Sequence, residues 1–211
     1  MPGDPITPEL VLRALTSGAF PMADARDGQI HWYSAEPRAI LPLDDRFKVR
    51  RSLAKIIARN DFVITRDRAF PRVITACAQP RPSDDQTWIS PQIIRVYCQL
   101  ADMGYAHSVE AWQPHQDGRS VKLVGGLYGL AVGAAFFGES MFSTSAYASQ
   151  VCLVHLVEHL RAHHFCLCDV QFTNPHLQQF GLLEIPKEDY LHKLTPAINQ
   201  PNHWRDSCDD G

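Results

Sequence analysis

Apolar positions recur every three or four residues in some stretches and alternate in others, so the chain mixes helices with strands. "ITPELVLRALTSGAF" has helical spacing, with Thr7 as a cap, Pro8 in the first turn and Gly18 at the end. "GQIHWYS" and "PRAILPL" are short extended pieces around Pro37. "SLAKIIARN" is helical, "FVITRD" is a strand, and "AFPRVITACA" is a helix with Phe70, Val73, Ile74 and Cys77 on one stripe. In "SPQIIRVYCQLADMG", Ser90 caps, Pro91 takes the first position, Gly104 lies past the end, and Ile93, Ile94, Tyr97 and Leu100 form the apolar stripe.

Further on, "AHSVEAW" and "KLVGGLYGLAVG" predict an antiparallel hairpin across the polar loop "QPHQDGRS", and "AAFFGESMF" predicts the next strand. "YASQVCLVHLVEHLRAHH" is a helix with Leu153, Val154, Val157 and Leu160 inward; "FCLCDVQF" is a strand, "NPHLQQFG" a short helix and "EIPKEDYLHKL" a terminal piece. The tail "NQPNHWRDSCDDG" is expected to be poorly ordered. The fold class is α+β, a mostly antiparallel sheet flanked by helices. Residues 1–45 are too few for much core of their own and are expected to pack, as a small N-terminal domain, on a larger domain of residues 46–195, with 196–211 as a tail.

A chain of 211 residues with 45% hydrophobic and 20% charged residues has the size and balance of a globular protein. It contains no apolar run of eighteen residues, which excludes an obvious transmembrane helix, and "MPGDPITPEL" lacks the basic and apolar regions of a secretory signal. Six cysteines without a C-x-x-C pair predict free thiols in a reducing cytoplasm. A net charge of −3 gives no global basic field, so a nucleic-acid partner needs a local patch. "RFKVRRSLAKIIAR" supplies one, with Arg46, Lys48, Arg50, Arg51, Lys55 and Arg59 in fourteen residues; a solvated helix face has the same composition.

Four constellations carry candidate chemistry. "HLVEH" matches the H-x-x-E-H zinc pattern, but His155, Glu158, His159 and His163 lie opposite the apolar stripe and are expected to face water rather than metal. In "FCLCDVQF" alternation puts Phe165, Leu167, Asp169 and Gln171 on one strand face, so a carboxylate and an amide sit side by side, either as a site or as a strand end turning polar. Glu139 is the one charge in "GGLYGLAVGAAFFGESMFS", sharing a face with Phe137 and Met141 if the strand is regular. Burying it costs several kcal/mol unless it is paired, so it is either a sheet-edge acid or the acid of an apolar pocket that accepts an amine. Trp32, Tyr33, Trp88 and Tyr97 have rings that can stack on a nucleobase or fill a core.

Taken in order, "FPM…IHWYSAEPRAILPL", "TWIS", "AHSVEAW", "LVGGLYGLAVGAAFFGESMFS" and "DVQ…HL…G…EIPKEDYL" resemble the leucyl/phenylalanyl-tRNA–protein transferases from Thr7 to Leu191. The resemblance implies an aminoacyltransferase that moves leucine or phenylalanine, and methionine in some cases, from charged tRNA to proteins with N-terminal Arg or Lys, marking them for N-end-rule degradation. It implies a small N-terminal domain on a GCN5-type N-acetyltransferase-like domain, no metal and no cofactor, and a cytoplasmic monomer without membrane attachment. Asp169 and Gln171 match the catalytic pair, in which the aspartate polarises the glutamine. Asn174 matches a substrate-bonding position and Glu139 an acid that attracts the cationic acceptor. Leu127, Phe136, Phe137, Met141 and Ser143 match the pocket for the transferred side chain. Trp32, Tyr33, Trp88 and Tyr97 match positions near the terminal adenosine, and Arg46 to Arg59 fall where the acceptor stem would lie.

Against that pattern the chain starts late, Gln150 stands where a lysine is common and Glu188 follows Lys187, which lowers the positive charge expected near the tRNA. Two rival readings are an acetyl-CoA-dependent N-acetyltransferase, for which no glycine-rich pyrophosphate loop is found, and a non-catalytic module that binds tRNA or protein N-termini.

Overall fold

The computed structural model describes residues 6–24, 28–80, 87–114 and 120–204. In chain order the elements are α1 (Pro8–Thr16), β1 (Phe20–Ala23), β2 (Ile30–Tyr33), β3 (Arg38–Leu41), α2 (Arg51–Ala58), β4 (Val63–Arg66), α3 (Phe70–Cys77) and α4 (Pro91–Asp102). They continue with β5 (Ala106–Pro114), β6 (Val121–Val132), β7 (Ala135–Ser143), α5 (Ala148–Ala162), β8 (Leu167–Gln171), α6 (Pro175–Gln178), β9 (Leu183–Ile185) and α7 (Lys187–Ile198). The caps read from sequence are present: Thr7 accepts the Leu10 N–H at 3.2 Å and Ser90 the Ile93 N–H at 3.3 Å.

β1 and β2 form an antiparallel ribbon at the N-terminal end. The other strands form one seven-stranded sheet in the order β4-β5-β6-β7-β8-β3-β9. Every pair is antiparallel except β7–β8, which is parallel because α5 crosses over between them. Residues 38–41, inside the segment expected to belong to the N-terminal piece, therefore build a strand of the main sheet between β8 and β9.

Two apolar layers sandwich the sheet. One joins Val11, Leu15, Phe70, Ile74, Ile93, Tyr97, Tyr128, Phe137 and Leu194 beneath α1, α3, α4 and α7. The other joins Leu53, Leu127, Phe136, Val151, Leu156, Leu160 and Phe180 beneath α2 and α5. Gly125 lets α5 sit directly on β6, since a Cβ there would lie 2.5 Å from that of Ala148. Cys77, Cys98, Cys152, Cys166 and Cys168 are free thiols, and Cys208 lies outside the described residues. Among the described residues no helix is long and apolar enough to cross a membrane.

Two expectations fail where the chain ends. Trp204, in the tail expected to be poorly ordered, is buried between His107 (centroids 4.3 Å apart) and Phe136 (5.4 Å), and its indole N–H donates to Asp67 at 2.8 Å. The rest of that tail, 205–211, lies outside the described residues. The same segment corrects one residue of the "HLVEH" face: His159 is buried, with Nε2 3.0 Å from the Trp204 carbonyl, because the docked tail covers it, whereas Glu158 is exposed and His155 and His163 are half-buried. Leu153, Val154, Val157 and Leu160 do point inward.

Candidate active site

β7 is irregular at its one acid. Tyr128 pairs with Ser140 and the next residue, Gly129, with Gly138, so Glu139 is the extra residue of a β-bulge. A one-residue insertion reverses the side-chain alternation. Before it, Phe136 belongs to the α5 layer and Phe137 to the opposite layer; after it, Met141 packs on the α5 side and Phe142 on the other. The shared face expected for Phe137 and Met141 is thus corrected, and the bulge is the reason.

β8 repeats the device. Ile40 pairs with Asp169 and Ala39 with Gln171, which leaves Val170 as the extra residue. Asp169 and Gln171 are therefore not side-chain neighbours on one face. Asp169 is fully buried and turns inward, where Oδ1 accepts from Arg38 Nε at 2.9 Å and Oδ2 accepts from Arg38 at 2.5 Å and from the Tyr190 hydroxyl at 2.8 Å. It meets Gln171 through the backbone, since the Gln171 N–H donates to Asp169 Oδ1 at 2.9 Å. That bond holds Gln171 at φ 60°, a left-handed conformation costly for a non-glycine residue, inside a turn closed by the Phe172 N–H on the Val170 carbonyl at 2.7 Å. Gln171 consequently lines the cavity while Asp169 does not, and its amide nitrogen is buried with no hydrogen-bond partner among the described residues.

Arg38 is the residue that sequence reasoning missed. It is 1% exposed, carries the bidentate pair with Asp169, donates to the Gly18 carbonyl at 3.0 Å, and stacks on Tyr190 at 4.5 Å. Burial works against its charge, but Asp169 outweighs burial and raises its pKa. Burial, then the Asp169 charge, raises that of the Tyr190 phenol. A signal was available: Arg38 is a lone cation in an apolar strand, as Asp169 is a lone acid in one.

The cavity, about 960 Å³, runs over β6, β7 and β8. Leu127, Met141, Leu153 and Val170 give it an apolar wall, and Glu139, Gln171, Ser143 and Asn174 give it polar points. Asn174 caps α6, accepting the His176 N–H at 2.8 Å. Phe136 is fully buried behind the wall, against Trp204, and Phe137 is buried in the opposite layer. Phe20, Met22, Trp88 and Phe172 also line the cavity, with the exposed Tyr33 stacked on Phe20 at 6.4 Å and Trp32 next to it on β2. Tyr97 does not join them; it is enclosed on all sides and offers no face to a base.

Glu139 has one oxygen sealed from solvent with no hydrogen-bond partner. Burial pushes its pKa from 4.5 to about 8. The Tyr97 phenol holds the rise back, although no hydrogen bond of regular geometry joins them; the Asp169 charge adds to it and Arg38 opposes it.

All six cations of the basic run are exposed. Arg46 pairs with Asp44 at 2.6 Å and Arg59 with Asp61 at 2.5 Å, both just outside the run. Lys48, Arg50, Arg51 and Lys55 make no ion pair among the described residues. No group of three His, Cys, Asp or Glu able to hold a metal occurs among the described residues.

Comparison with known proteins agrees along nearly the whole chain. A family model described as leucyl/phenylalanyl-tRNA protein transferase matches residues 40–195, and that family's N-terminal domain matches residues 4–36. A protein of Akkermansia muciniphila called leucyl/phenylalanyl-tRNA–protein transferase is 47% identical over 197 residues, covering 93% of this chain and 98% of the relative. One of the same description from Salinibacter ruber is 46% identical over 204 residues, covering 97% of this chain and 85% of the relative.

Proposed function

Because the chain belongs to the leucyl/phenylalanyl-tRNA protein transferase family, we propose that it joins an amino acid from charged tRNA to the N-terminus of a protein. The acyl donors are Leu-tRNA and Phe-tRNA, with Met-tRNA as a further one, and the acceptors begin with Arg or Lys. The observation that carries the chemistry is the Gln171 amide, buried, unpartnered and fixed by a strained turn at the cavity wall. An unsatisfied buried amide of this kind is rare unless a ligand completes it.

In this reaction the acceptor α-amine attacks the ester carbonyl carbon at the tRNA 3′ end. The C–N bond forms, the C–O ester bond breaks, and the amine proton goes to the departing ribose oxygen by way of solvent. The Gln171 amide oxygen accepts from an N–H of the incoming amine and leaves its lone pair free to attack, while the unpartnered amide nitrogen donates to the ester carbonyl oxygen. Asp169 acts one step back: through the Gln171 backbone N–H it holds the turn that presents the amide, while Arg38 and Tyr190 hold Asp169. The ester is already activated, so orientation supplies most of the acceleration.

The apolar wall of Leu127, Met141, Leu153 and Val170 receives the transferred side chain, discriminating by about 1–3 kcal/mol per methylene. Glu139 draws the acceptor's cation, and Asn174 and Ser143 bond the substrate. Phe20, Met22, Trp88 and the neighbouring Trp32 and Tyr33 hold the terminal adenosine. Lys48, Arg50, Arg51 and Lys55, helped by Arg46 and Arg59, lie along the acceptor stem. The protein works as a cytoplasmic monomer with a small N-terminal domain and a GCN5-type domain, and the mixed sheet with helices on both faces supports the last of these alone.

The test mixes the protein with labelled Leu-, Phe- or Met-tRNA and peptides beginning with Arg, Lys or Ala. Label should enter the Arg and Lys peptides. tRNA binding without transfer to any peptide would favour the non-catalytic module instead.

A further inference from the structure

Three polar atoms without partners meet on the side of the sheet covered by α3 and α4. Tyr97 on α4 and Tyr128 on β6 are fully buried, with rings edge-to-face at 5.8 Å, and neither hydroxyl makes a hydrogen bond of regular geometry among the described residues, although Tyr97 lies close enough to Glu139 to lower its pKa. The third atom is Glu139 Oε1, likewise sealed. A buried hydroxyl without a partner lowers stability, and phenylalanine would fill either ring's space without that penalty. Tyr128 already packs edge-on to Phe70, at 5.8 Å, as a phenylalanine would. Folding therefore gives no reason for these two hydroxyls.

Their common neighbour supplies one. The electric influences on the two phenols converge on Glu139, which raises the pKa of each after burial itself. The groups facing this cluster are Tyr97 from α4, Tyr128 from β6, Cys77 from α3, Arg38 from β3 and Asp169 from β8. Arg38 is committed to Asp169 and gives Glu139 no direct bond among the described hydrogen bonds. A neutral carboxyl left without partners costs far less than a carboxylate, which needs donors, and charge-assisted bonds are the strong ones.

We propose that Tyr97 and Tyr128 are positioning residues for the acceptor: when a cationic N-terminal residue docks on Glu139, both phenols donate hydrogen bonds to its carboxylate and hold it against the cation. This rests on the aminoacyl-transfer reading above. The free site keeps Glu139 protonated near neutral pH, the docking cation releases that proton to solvent, and the site stays uncharged overall whether empty or occupied.

The experiment measures transfer from saturating Phe-tRNA to an Arg-initiated peptide between pH 6 and 9, for wild type, Tyr97→Phe, Tyr128→Phe and the double variant. Each single change should raise the peptide KM about 10-fold, the value of a bond to a charged group, with kcat within about 3-fold and the KM for Phe-tRNA unchanged. The acidic limb of kcat/KM should move to higher pH in Tyr97→Phe, because the charged form of Glu139 has lost a donor. Thermal midpoints of the variants should equal or exceed wild type, which a purely structural role for the hydroxyls would not give. Calorimetry of wild type with the peptide in buffers of different ionisation enthalpy should show proton release at pH 7. Unchanged peptide KM and pH limb in an active enzyme overturns the inference alone; a wild type that transfers to no acceptor overturns the reading beneath it and the inference together.

Discussion

Arg38, Asp169 and Glu139 are three ionisable groups set into an apolar sheet, and their fates differ. Removing one member of a buried pair strands the other, at about 3–5 kcal/mol, so Asp169→Ala and Arg38→Ala should both lower the unfolding free energy in urea by that much. Replacing both, as Arg38→Met with Asp169→Leu, should recover most of the stability but not the transfer activity, because the Gln171 N–H then has no acceptor. Glu139 makes no ion pair and no hydrogen bond of regular geometry among the described residues. Its folded pKa, about 8, lies above the usual 4.5, so the folded state holds a proton that the unfolded chain loses first. Wild type should therefore lose stability as pH rises from about 5 to 8, and Glu139→Gln should not, which thermal melts of both across that window will measure. The residue types were legible in the sequence: the lone acid among apolar residues lines the cavity. Its neighbours were not, because two bulges reversed the alternation on which the face assignments rested.

At the scale of elements, the sequence predicted helices and strands well where local signals were strong. Thr7, Ser90 and their following prolines start α1 and α4 as expected. What it could not convey was which strands pair. β3 comes early in the chain and inserts between β8 and β9, and that pairing is what brings Arg38 to Asp169. The docked C-terminal segment was hidden for a similar reason: Trp204 is a single aromatic in polar surroundings, and its pocket is assembled from Asp67, His107, Phe136 and His159 on separate elements. Trp204→Ala should cost about 3–5 kcal/mol in chemical denaturation, since it empties a ring-sized space and leaves Asp67 short of a donor. A surface tryptophan would change the midpoint very little.

For the whole molecule, the sheet divides the labour. The cavity crosses β6 to β8 with Gln171 and Glu139 at its polar points, while the basic run rides on α2 and the loop before it. Net charge −3 gives the whole molecule no attraction for tRNA, so the proposed function assigns that attraction to this local patch, where Asp44 and Asp61 already engage two of the six cations. Neutralising Lys48, Arg50, Arg51 or Lys55 should weaken binding of charged and uncharged tRNA alike and flatten the log–log salt dependence by roughly 1 for each cation that no longer meets a phosphate. Neutralising Arg46 or Arg59 should do less. The most direct test of the central claim is the single-turnover rate of peptide-bond formation from Phe-tRNA to an Arg-initiated peptide, for wild type and Gln171→Ala. Wild type should transfer, and the variant should be slowed at least about 100-fold with Phe-tRNA affinity and thermal midpoint little changed, the scale on which misplaced reacting groups slow a reaction. Equal rates for the two proteins, or no transfer by wild type, would contradict the account.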